Sequence, residues 1–122
     1  MEKIQLVERH VIDVNHKDFD EIDNLCFLSK NLYNAANYLV RKEFIENKLY
    51  LNYYDIEKLL QQSPNYKSLP SGVSQQVLKV LSENWKSFFA ATKEYQKYPG
   101  KFLGRPKIPK YKDRINGRNL LI

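Results

Sequence analysis

The sequence predicts a mainly α-helical protein: a bundle of three or more helices, with a short strand before it and an extended basic segment after it. Two observations carry that prediction. Apolar residues recur at three- and four-residue intervals through two long stretches, and prolines stand where those stretches start and stop. The 122 residues fit about one domain. Nine Tyr, six Phe and one Trp within a 43% apolar composition supply core anchors, which excludes wholesale disorder.

Taken in order, Ile4, Leu6, Val11 and Ile12 stand among polar neighbours and read as one or two short strands. From about Phe19 to Glu46 the positions Ile22, Leu25, Leu28, Leu32, Ala35 and Leu39, flanked by Ala36 and Val40, form a helical stripe, with Asp18 or Asn15 as its N-cap. Asn52 then caps a second helix that carries Asp55 at its third position and places Ile56, Leu59 and Leu60 on one face, stopping near Ser63-Pro64-Asn65. A third helix starts around Pro70-Ser71, runs its stripe through Val73, Val77, Val80, Leu81, Phe88, Ala91 and Tyr95, and is ended by Pro99-Gly100. Tyr33, Tyr38, Tyr50, Trp85, Phe88 and Phe89 are expected in the core and its seams. Tyr53 and Tyr54, at a helix entry, are set apart from them.

Past Gly100 the texture changes. Pro106 and Pro109 exclude a helix and leave an extended basic arm, and the residues Asn119 to Ile122 resemble an apolar strand. Charge follows the same division: residues 1 to 68 hold nine Lys and Arg against eleven Asp and Glu, a net of −2, whereas 69 to 122 hold eleven against three, a net of +8. Such asymmetry suits a polyanionic partner, because each neutralised phosphate releases condensed counterions. Lys101, Arg105, Lys107, Lys110, Lys112 and Arg118, interleaved with Tyr111, are the candidate nucleic-acid contacts of the arm. Gln75, Gln76 and Lys79, early in the third helix, are candidates to reach a base edge.

Several chemistries find no support. His10 and His16 lack partners at zinc spacing, no phosphate-cradling glycine loop is present, and no serine or cysteine has a nucleophile's context, so neither catalytic residues nor a metal or other cofactor are expected. The single cysteine, Cys26, lies in the apolar pattern of the first long helix and is expected to pack there, in a cytoplasmic protein without internal disulfides. No apolar run approaches membrane-spanning length and the first residues lack a signal peptide's core, so no membrane partner is expected.

Four blocks, in order, carry a resemblance: Leu28-Ser29-Lys30-Asn31-Leu32-Tyr33-Asn34-Ala35-Ala36-Asn37-Tyr38, Leu69-Pro70-Ser71 with Gln75-Gln76-Val77-Leu78, Asn84-Trp85-Lys86-Ser87-Phe88-Phe89, and Gly104-Arg105-Pro106-Lys107-Ile108-Pro109-Lys110-Tyr111-Lys112. Together they resemble the N-terminal region of the TnpB (OrfB) proteins of insertion sequences. These were long classed as transposases with a helix-turn-helix and are understood as RNA-guided DNA nucleases related to type V CRISPR effectors. The resemblance implies a helical recognition bundle inserted in a partial β-barrel. It assigns residues 1–16 to the first strand or strands of a wedge-like barrel, 17–98 to the bundle and 99–122 to a basic return segment, an extended strand segment that rejoins the barrel. It further implies that Tyr53 and Gln75 face a short DNA motif beside the target, and that the return segment touches guide RNA.

The family's RuvC-like nuclease domain and zinc ribbon have no counterpart in these residues, so the resemblance implies a DNA- or RNA-binding module that does not cut, truncated before its catalytic part. The alternative is a helical interaction fragment that docks on a full-length relative or a separate nuclease half.

Overall fold

The computed structural model describes residues 19–119 and the backbone of two short strands near the N-terminus. Strand β1 (Lys3–Gln5) pairs antiparallel with β2 (Arg9–Val11), with Ile4 opposite His10. The expected strand residues Leu6 and Ile12, the N-caps Asn15 and Asp18, His16, and Leu120 to Ile122 lie outside the described residues. Among the described residues the hairpin is the whole of the β-structure, and no barrel closes around it.

Residues 19 to 97 are mainly helical. Helix α1 (Phe19–Asn47) and helix α4 (Ser71–Lys97) are the two long members and pack along each other, with α2 (Tyr53–Leu60) and the single-turn α3 (Pro64–Lys67) filling the connection between them. Helix α1 ends where Lys48 takes a left-handed backbone (φ 57°), which turns the Leu49 amide back to the Glu43 carbonyl at 3.2 Å. Asn52 starts α2 by the reciprocal cap its sequence predicts: its Oδ1 accepts from the Asp55 amide at 3.0 Å, while its own amide donates to Asp55 Oδ2 at 3.1 Å.

Ser63-Pro64-Asn65 does more than stop α2. Ser63 caps α3, its Oγ accepting from the Tyr66 amide at 3.3 Å, and Pro64 occupies the first turn, where a missing N–H costs nothing. The turn is then tied down by Ser74 of α4, whose buried hydroxyl donates to the Tyr66 carbonyl at 2.7 Å.

The core is one cluster running through Leu32, Tyr33, Ala36, Val40, Ile56, Val77, Leu78, Leu81 and Trp85. At one end the rings of Phe44, Tyr50, Trp85, Phe88 and Phe89 meet mostly edge to face, the Phe44–Trp85 centroids 5.3 Å apart and Tyr50–Phe89 5.0 Å. Cys26 packs separately, with Phe19 and Ile22 against it.

Two expected core positions are overturned. Leu59 is 59% exposed, since α2 has only two turns and seats Ile56 and Leu60 on the bundle instead. Tyr38 is 54% exposed because α1 turns Asn37 inward and Tyr38 outward.

The return segment is likewise corrected. Residues 102 to 119 form no strand, because Pro106 and Pro109 offer no amide to a sheet and the carbonyls of Pro109 and Lys112 are claimed by side chains of α1.

Candidate nucleic-acid interface

A ladder of polar side chains on α1 builds this surface. Lys30, Asn34, Asn37 and Arg41 are spaced four, three and four residues apart, which puts them on one helix face. The basic arm runs antiparallel to α1 along that face. Asn37 Nδ2 and Arg41 Nη1 donate to the Pro109 carbonyl at 3.1 and 3.2 Å. Asn34 clamps Lys112 from both sides, donating to its carbonyl at 2.9 Å and accepting from its amide at 2.8 Å, as a neighbouring strand would. Lys30 Nζ donates to the Arg114 carbonyl. Finally the Asn119 amide reaches the Cys26 carbonyl at 3.1 Å.

The end of the arm is locked by charge and by a turn. Arg118 forks onto Asp23, with Nε–Oδ1 at 2.9 Å and Nη2–Oδ2 at 3.2 Å, while its guanidinium lies 4.9 Å from the Phe27 ring centre. Asp113 Oδ1 accepts from the amides of Asn116 (2.7 Å) and Ile115 (2.9 Å), and these bonds, that of Asn116 foremost, hold its carboxyl below the usual aspartate range. Gly117 completes the turn. A Cβ there would stand 2.3 Å from the Asp113 carbonyl oxygen, so only glycine fits this close approach.

Lys30 is fully buried, and its ammonium sits 3.9 Å from the Phe27 ring centre. Burial lowers its pKa, with the nearby Arg118 and Arg114 adding to the effect and Asp113 opposing it.

The sequence-predicted residues fall into two groups. In the arm, Arg105, Lys107, Lys110 and Tyr111 are exposed, and no ion pair engages the three cations among the described residues. Tyr111 lies against the Arg41 guanidinium (4.7 Å), and the half-buried Lys112 sits over Tyr33 (4.8 Å). Lys101 pairs with Glu94 at 2.9 Å, outside the ladder, and Arg118 is committed to Asp23.

The second group lies where α2 meets the start of α4. Lys79 Nζ stands 5.8 Å from the Tyr53 ring centre, Tyr54 packs at 5.2 Å from Tyr53, and Gln75 and Gln76 are exposed on the first turns of α4. Tyr53 itself is half-buried and donates its hydroxyl proton to the Glu57 carboxylate. Burial, and then that bond and charge, push its pKa well above the tyrosine range.

The ladder residues Lys30, Asn34, Asn37 and Arg41 were not among the predicted site residues. Their sequence signal is the run of polar side chains at helical spacing beside the apolar stripe, which alone reads as a solvated face. Among the described residues no group of three or more His, Cys, Asp or Glu could hold a metal ion, and no helix is long and apolar enough to cross a membrane. No protein-family model matches the chain, and neither a curated protein nor a solved structure gives a significant match to it.

Proposed function

We propose that this chain is a nucleic-acid-binding module, similar in kind to the N-terminal recognition region of the TnpB (OrfB) proteins, and that it binds through the basic arm. One observation supports this above the others. The arm's backbone is fixed along α1 by Asn34, Asn37, Arg41 and Lys30, while Arg105, Lys107 and Lys110 stay exposed.

A tail that is basic only for solubility gains nothing from such docking. A phosphate-binding segment does, because cations held in place lose less conformational freedom on binding. The patch formed by Tyr53, Tyr54, Gln75, Gln76 and Lys79 offers amide and aromatic groups suited to base edges, and in this reading it faces the DNA motif that the resemblance implies. The same resemblance is the ground for proposing guide RNA as the arm's ligand and a barrel completed around β1 and β2. The proposed activity is binding; cleavage is not part of it.

The test is anisotropy with labelled structured RNA and duplex DNA, with heparin as competitor. Neutralising Arg105, Lys107, Lys110 and Lys112 to Ala should weaken every nucleic acid alike. On duplex DNA the slope of log K against log salt should flatten by about 0.9 for each phosphate that the variant leaves unneutralised. Unchanged affinity in that variant would refute the reading.

A further inference from the structure

Where the arm crosses α4 it leaves a shallow groove of about 340 Å³, open to solvent and within the size range of small-molecule sites. Its walls come from α1, α4 and the arm, whose Pro109 is held in place by Asn37 and Arg41. Phe88, Ala91, Pro106 and Pro109 give it apolar surfaces, and Lys107 and Lys110 stand on its basic side. Phe88 is steadied by edge-on packing against Trp85 (5.8 Å) and Phe44 (6.1 Å).

The uncharged polar residues of the lining are Tyr33, Asn84 and Ser87. Asn84 Nδ2 donates to the Tyr33 hydroxyl at 2.7 Å, which leaves the Asn84 carbonyl oxygen free to accept and the Tyr33 proton free to donate. Tyr33 is only 3% exposed, yet its side chain lines the groove, so this hydroxyl is a fixed hydrogen-bonding group at its edge. Ser87 adds a second hydroxyl there.

We propose that this groove takes one unstacked nucleotide of a single-stranded RNA. The base lies against Phe88 and Ala91, the flanking phosphates meet Lys107 and Lys110, and the ribose 2′-hydroxyl donates to Asn84 or Ser87. The assignment rests on the nucleic-acid reading of the arm and deepens it. An apolar slot with a cationic rim matches a base joined to phosphate, and a paired base cannot enter it, because its face is stacked within the duplex. The acceptors of Asn84 and Ser87 are what a deoxyribose could not use.

The experiment compares three probes, an oligouridylate, its deoxy equivalent and an RNA duplex, on the wild-type chain and on Ala91→Leu, which fills the groove without changing charge. Ala91→Leu should weaken the oligouridylate about tenfold, the scale of stacking one base on an aromatic ring, and leave the duplex and the salt slope unaltered. Should Ala91→Leu lower the melting temperature, Ser87→Leu, on an exposed position of the same wall, serves instead. Oligouridylate affinity that survives groove filling overturns the groove while leaving the arm reading intact. Equal binding of ribose and deoxyribose probes by the wild type overturns the assignment to RNA. If the arm-neutralised variant also binds every probe as the wild type does, the arm reading fails with it.

Discussion

Trp85 and Pro109 are joined through one side chain. The indole Nε1 of Trp85, at the centre of the core, donates to Asn37 Oδ1 at 2.9 Å, and the amide nitrogen of the same Asn37 donates to the Pro109 carbonyl at 3.1 Å. Asn37 is fully buried and its bond to Trp85 forms away from water, so the position of the basic arm is tied to the packing of the core. Replacing Asn37 with Ala therefore strands a buried indole N–H and leaves the Pro109 carbonyl held by Arg41 alone, which loosens the arm. The expected loss is about 1–3 kcal/mol of stability in chemical denaturation, together with faster amide exchange at the residues around Lys112.

Lys30 leads to the opposite expectation. Its ammonium is buried against the Phe27 ring with one hydrogen bond, to the carbonyl of Arg114, and burial outweighs the attraction of Asp113 in lowering its pKa. Lys30→Met keeps the packing and removes the desolvation cost, so stability at neutral pH should rise by on the order of 1 kcal/mol. The folded pKa lies below the ordinary 10.5, so the unfolded chain holds the proton more tightly, and the penalty is greatest at low pH and fades as pH rises towards 10.5. Melting curves of wild type and variant should consequently converge with rising pH; a constant gap would contradict the burial of the charge.

Alkaline unfolding should be driven by tyrosines. Burial raises the hydroxyl pKa of Tyr33, Tyr50 and Tyr53 above the ordinary 10.0. A raised folded pKa means that the unfolded chain gives up the proton first. Each hydroxyl is therefore neutral in both states well below pH 10.0, and above it each drives unfolding as the unfolded chain ionises. Tyrosinate absorbance should thus appear late and together with the loss of helical circular dichroism. Tyr53→Phe, lacking the ionisable group, should shift the transition to higher pH.

Leu81 is fully buried on α4, where it faces the bundle. Leu81→Asp buries an unpaired carboxylate, a cost of about 3–5 kcal/mol that takes up most of a small domain's stability. Helical circular dichroism and a cooperative melt should both be lost. A variant melting as the wild type does would remove the packing assignment of α4.

Sequence alone determined the three longer helices, because what decides them is local. The stripe through Ile22, Leu25, Leu28 and Leu32, the Asn52–Asp55 cap, and prolines 70 and 99 place both ends of α1 and α4 and the start of α2 within a residue or two, whereas α2 ends at Leu60, short of the expected stop near Ser63, and Pro64 opens α3. It also showed that positive charge gathers beyond residue 69. Periodicity could not show that Leu59 and Tyr38 face outward, since a helix's apolar stripe says nothing about how far its neighbour extends. Nor could it show what the arm does. The donors of Lys30, Asn34, Asn37 and Arg41 meet carbonyls 68 to 84 residues away in the chain, and no local pattern in either segment names the other. Only tertiary packing brings them together, because the arm's backbone, deprived of sheet partners by its prolines, must find its hydrogen bonds on a side-chain ladder.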